Sequence, residues 1–162
     1  MKKTKNLFKF IFLSFLAVLT LVFTNNSAKA DTVKELTNVI TSVELLNASD
    51  TPQTTDAEGV YQVRTGTAYK LRVLFDLKAY DGNLSNGDYF TFNIPAPMDV
   101  YNNTLELTDP NTRVPIADAV VTKNGNGNGG TVKVTLKNLE QYLAATGGDA
   151  VKDVSGNFAA SF

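Results

Sequence analysis

A chain of 162 residues, 43% hydrophobic and 19% charged with a net charge of −1, has the length of a small domain and no basic excess to hold nucleic acid or an anionic membrane surface. It contains no cysteine and no histidine, which excludes disulfides, thiol chemistry, the commonest general base and the usual zinc ligands. What remains is carboxylate chemistry or hard-cation binding, and the acids show no spacing that singles out a catalytic pair.

Lys2, Lys3 and Lys5 precede a mostly apolar run from Leu7 to Phe23, and Ala28-Lys29-Ala30 closes the segment before Asp31. A basic start, a short apolar centre and an Ala-x-Ala end predict a secretory signal peptide over residues 1–30. The uninterrupted apolar part after Lys9 is shorter than the roughly 20 residues of a membrane helix, so no membrane association is expected once the leader is cleaved. Without its five lysines, ten basic residues face sixteen acidic ones, a net of −6.

Asp31 to Thr37 is polar and reads as a flexible lead-in to a domain over residues 38–162. Asn38 to Leu46 reads as a strand with Val39, Thr41, Val43 and Leu45 on one face. A long polar loop, Asn47 to Gly59, separates it from a short edge strand at Val60–Val63 and a turn at Arg64–Thr67. From Tyr69 to Leu77 apolar and polar residues alternate, and Phe90, Phe92 and Ile94 share a face before Pro95, which has no N–H to donate. These two segments, with turn formers between them, read as the central hairpin of the fold.

Leu105–Thr108 is a short strand, Asp109-Pro110-Asn111-Thr112 a type I turn, and Ile116–Lys123 and Thr131–Leu136 strands around a glycine-rich tip, Asn124–Gly130. Leu139, Tyr142 and Leu143 have helical spacing, which places one or two helical turns over Asn138–Ala145. Val154–Phe162 reads as a last strand, and its ending in Ala159-Ala160-Ser161-Phe162 implies a fragment of a longer protein or an open edge that something else completes. Short strands, Gly and Pro turns and no long amphipathic helix predict an all-β fold. An antiparallel β-sandwich with Greek-key connections is favoured, with a small lipocalin-like β-barrel as the alternative.

Asp81, Asn83 and Ser85 hint at a calcium loop, but the spacing departs from that motif and a solvated turn is the simpler reading; no metal or other cofactor is expected. Tyr89, Tyr101 and Tyr142 are candidates for a sugar- or peptide-binding surface. With no histidine, cysteine or nucleophile-elbow serine, no catalytic residue is nominated and the chain reads as a non-enzyme.

The run Phe75-Asp76-Leu77, then LSNGDYFTFNIP from Leu84 to Pro95, resembles a signature of the ligand-binding A-region domains of Gram-positive wall-anchored adhesins. That group, the MSCRAMMs, includes fibrinogen-binding serine-aspartate repeat proteins and collagen adhesins. Thr131–Asn138, Tyr142 and Val151–Phe158 are similar to the family's threonine-rich strand and closing strand, so the likeness spans most of Val39–Phe162.

The resemblance implies an immunoglobulin-like sandwich, incomplete at its C-terminus, on the cell wall or secreted. It implies a role in adhesion and virulence, with a protein of the extracellular matrix or host surface as partner. It further implies that a downstream domain adds a strand beside Thr131–Lys137, making Thr131, Lys133, Thr135 and Lys137 the receiving edge. Collagen-adhesin relatives also imply a Lys–Asn isopeptide bond promoted by a buried acid. Asp76 and Asn157 fall near the acid and amide positions, but the expected lysine is missing from Asn38–Leu46 and the alternation turns Asp76 to solvent. Two other readings stay open: a stalk or pilin-like spacer, and a carbohydrate-binding β-sandwich.

Overall fold

The computed structural model describes residues 32–64 and 66–162; the expected leader, residues 1–30, lies outside them. In chain order the elements are β1 (Ile40–Asn47), β2 (Tyr69–Asp76), a 3₁₀ turn at Lys78–Tyr80, β3 (Tyr89–Ile94), β4 (Asn103–Thr108), β5 (Pro115–Lys123), β6 (Gly130–Leu136), α1 (Leu139–Thr146) and β7 (Ser155–Ser161). They build two antiparallel sheets, one in the order β1-β2-β7 and the other β3-β6-β5-β4. The sheets stay separate, so the fold is a sandwich and the barrel alternative falls. In the second sheet β4, β5 and β6 form a meander and β3 returns beside β6, a Greek-key connection.

The expected hairpin between Tyr69 and Pro95 is not formed. β2 and β3 alternate as anticipated, with Tyr69, Leu71, Val73 and Phe75 buried on one and Phe90 and Ile94 on the other, but they belong to different sheets. Side by side, two such strands would leave a common apolar face uncovered; folded across one another, each covers its partner. The connection is held by Leu77 N–H to the Val154 carbonyl and Gly82 N–H to the Val151 carbonyl. The rings of Phe75 and Phe90 then meet across the sandwich at 5.0 Å between centroids.

Three local expectations also change. A bulge between Ile40 and Ser42 shifts the alternation of β1, Val43 is exposed, and Leu45 and Leu46 are both buried where the chain folds back on them, with a bridge from Leu46 to Pro52. Residues 60–63 are exposed and make only an isolated bridge, Thr55 to Tyr61, so they form no strand. The lead-in is pinned: Leu36 is buried, its N–H donates to the Tyr89 carbonyl, and the Tyr89 N–H donates to the Lys34 carbonyl. After this contact with β3 the chain turns at Asn38, whose φ of 57° is left-handed, and crosses to the other sheet.

The remaining segments form close to where their residues placed them. Asp109 caps its own turn, accepting the N–H groups of Asn111 and Thr112 and the Thr112 hydroxyl. The glycine-rich tip joins β5 to β6. α1 buries Leu139 and Tyr142 and ends at Gly147, with φ 68°, whose N–H donates to the Leu143 carbonyl.

Candidate binding surface

A sandwich has four sheet edges, and each edge strand carries backbone groups that a further strand could pair with. Three of the four are guarded here. Along β1 the chain folds back, with a bridge from Leu46 to Pro52 and the Gln53 N–H on the Leu45 carbonyl. The start of β3 is covered by Lys34–Leu36. β4 carries the charge of Glu106 and a register irregularity at Leu107/Thr108.

β7 has none of these devices. Its sequence, SGNFAAS, holds no charge and no proline. Tyr69 and Phe162 exchange N–H···O bonds at 3.1 and 3.0 Å, so the antiparallel register directs the backbone groups of Gly156, Phe158 and Ala160 toward β2. Those of Ser155, Asn157, Ala159 and Ser161 therefore point outward, and no strand among the described residues pairs with them.

Beside this edge, between β7 and β4, lies a cleft of about 310 Å³ bordered by Lys70, Tyr101, Asn103, Leu105, Ala159 and Ser161. Tyr101 is 67% exposed, the most exposed large apolar side chain described, with the Lys123 ammonium 5.9 Å from its ring centre. A second, more apolar groove of about 580 Å³ opens at the end of the sandwich between Tyr61, Val63, Tyr69, Pro97, Met98 and Phe162. Phe162 stacks on Tyr69 at 6.2 Å, so the groove begins where β7 ends.

The anticipated receiving edge is not an edge. Thr131, Lys133 and Thr135 lie on β6, which is hydrogen-bonded to β3 on one side and β5 on the other along its whole length. Their backbone groups are already in ladders, so no strand can be added there. Lys137 follows β6, and its N–H donates to the Ile116 carbonyl. Its ammonium bridges Asp118 and Glu106 at 2.7 Å each, which raises its pKa.

The three tyrosines do not share a surface. Tyr89 sits in the row Tyr89–Thr135–Asp118–Glu106, with Lys133 over its ring at 4.0 Å, whereas Tyr101 precedes β4 at the opposite end of the same sheet. Tyr142 is buried on α1, donates its hydroxyl to the Lys152 carbonyl at 3.2 Å and is a core residue. Burial, with Asp109, Asp153 and Asp81 nearby, pushes its pKa up. Only Tyr101 adjoins an open edge.

Asp76 and Asn157 lie on neighbouring strands but are both exposed, and Asp76 accepts the Lys78 N–H, so the buried acid of an isopeptide site is not at this position. The most deeply buried carboxylate among the described residues is Asp88, ahead of Asp109. Asp88 accepts the backbone N–H groups of Lys34 and Ser85 and lies 3.5 Å from the Lys34 ammonium. In the hinted calcium loop, Asp81 accepts the Asp153 N–H, so the carboxylates at 81 and 88 hold backbone instead. The signal for the open edge was the composition of the last strand; its outward groups needed the register.

A family model described as a bacterial Ig domain matches residues 63–142, from just before β2 into α1. No curated protein and no solved structure matches the chain. The family match and the two-sheet architecture together support a bacterial immunoglobulin-like domain, with β1 and β7 outside the matched residues.

Proposed function

We propose that this bacterial immunoglobulin-like domain is an exported, non-catalytic adhesin module of the Gram-positive wall-anchored type, which holds an extended segment of a host protein by strand addition to β7. The carrying observation is the unguarded edge: outward backbone groups at Ser155, Asn157, Ala159 and Ser161 on a strand without charge or proline. A segment laid there gains main-chain hydrogen bonds, and every second side chain enters the cleft beside Tyr101 and Leu105. The leader-like start of the chain supports export, and the bacterial Ig match supports a surface or structural module. The net charge of −6 on Asp31–Phe162 favours a protein partner over nucleic acid.

Ala159→Pro is the direct test, because the N–H it removes points away from β2 and the sandwich ladder is spared. Purified residues 31–162 and the variant are passed over immobilised extracellular-matrix and plasma proteins. Binding by the native chain that the variant loses, with an unchanged circular dichroism spectrum, is the expected result. Equal binding by both, or binding by neither to any surface, overturns the reading.

A further inference from the structure

The sequence contains four Asn-Gly pairs, at 86–87, 124–125, 126–127 and 128–129. Asn-Gly is the dipeptide most open to succinimide formation, since glycine puts no side chain in the way of its own nitrogen. That nitrogen attacks the asparagine side-chain carbonyl carbon, the bond to the amide nitrogen breaks, and ammonia leaves with the proton the glycine N–H gives up. Water then opens the cyclic imide to aspartate or isoaspartate.

The fold treats the four pairs differently. Asn86 is tied at both ends, its amide nitrogen to Glu140 at 2.7 Å and its oxygen to the Leu139 N–H at 3.0 Å, while the Gly87 N–H donates to the Leu136 carbonyl at 2.8 Å. The Gly129 N–H donates to the Met98 carbonyl at 2.8 Å. A Cβ on Gly129 would sit 1.9 Å from the Ile94 carbonyl oxygen, so this backbone has no room to rearrange. The Gly127 N–H is held by the Asp99 carboxylate at 3.2 Å. The Gly125 N–H has no partner among the described residues, and the Asn124 side chain is exposed and likewise unbonded.

We propose that Asn124 is a fold-selected site of spontaneous deamidation. Conversion places a new carboxylate next to Lys123, which already pairs with Asp99 at 2.8 Å. The tip also props the Pro97–Asp99 wall of the apolar groove, through Gly127 and Gly129. Ageing of the exported protein therefore alters charge and backbone at one end of the sandwich, at a distance from the Ser155 end of β7.

The test holds the purified chain in mildly alkaline buffer and follows aspartate and isoaspartate at each pair by peptide mapping. Asn124 converts at least about tenfold ahead of Asn86 and Asn128, the factor expected when a buried backbone hydrogen bond must first open, with Asn126 between them. Asp99→Ala brings Asn126 toward the rate of Asn124, and in denaturant the four rates converge. Asn86 or Asn128 keeping pace with Asn124 in the folded protein overturns the proposal, as does an intact Asn124 after the denatured sample has converted.

Discussion

The backbone N–H of Lys34 donates to the Asp88 carboxylate at 3.0 Å, joining the start of the domain to a side chain that has no exposed surface. The other carboxylate oxygen takes the Ser85 N–H at 2.9 Å, so a single buried acid anchors both the lead-in and the loop before β3. Asp88→Ala leaves both N–H groups without their acceptor and is expected to cost about 2–4 kcal/mol in a urea unfolding experiment. Asp88→Asn keeps one acceptor oxygen and falls between the variant and the native chain. A loss under about 0.5 kcal/mol for Asp88→Ala would show that the anchor is dispensable.

Hydrogen exchange distinguishes the two strands that competed for the role of receiving edge. In the free protein the amides of β6, from Thr131 to Thr135, are protected without alternation, because both neighbours are in place. On β7 the amides of Phe158 and Ala160 exchange slowly while those of Asn157, Ala159 and Ser161 exchange fast. Uniform protection along β7 would mean that its edge is covered.

Glycine positions at the tip and in the long loop separate crowding from backbone preference. Gly59, with φ 79° and open space around it, should lose about 1 kcal/mol on substitution by alanine, the ordinary cost of a left-handed non-glycine residue. Gly129→Ala adds a collision with the Ile94 carbonyl and should lose several times as much, or fail to fold. Thermal denaturation of the two variants checks the order, and near-equal melting points contradict it.

Asp99 gives the tip a dependence on acid. Its contact with Lys123, and next the Gly127 N–H, hold its carboxyl below the ordinary value of 3.8. A group depressed in the folded state stabilises above its unfolded value, and that contribution is lost as pH falls through the folded one. The Gly127 amide resonance should therefore titrate with a midpoint below 3.8, and Asp99→Ala should abolish the titration. A midpoint at or above that value would contradict the contact.

Much of the local structure was legible from residue order. The alternation from Tyr69 to Phe75, the aromatic face of Phe90 and Phe92, the tip at Asn124–Gly130 and the turns of α1 all depend on neighbours within a few positions, and all formed where that pattern placed them. The last strand, read at Val154–Phe162, also formed, at Ser155–Ser161. The bulge at Ile40/Ser42 left no such mark, since one extra residue reverses the faces of β1 without changing its composition.

Pairing was decided elsewhere. Alternation states that a strand has an apolar face and is silent on which strand lies beside it, so β2 and β3 read as a hairpin and β6 as an edge. Only in three dimensions do Phe75 and Phe90 meet from opposite sheets, and only there does β6 lie between β3 and β5. The physical reason is range: a periodic face is set by adjacent peptide units, whereas the choice of neighbour depends on covering every apolar face at once.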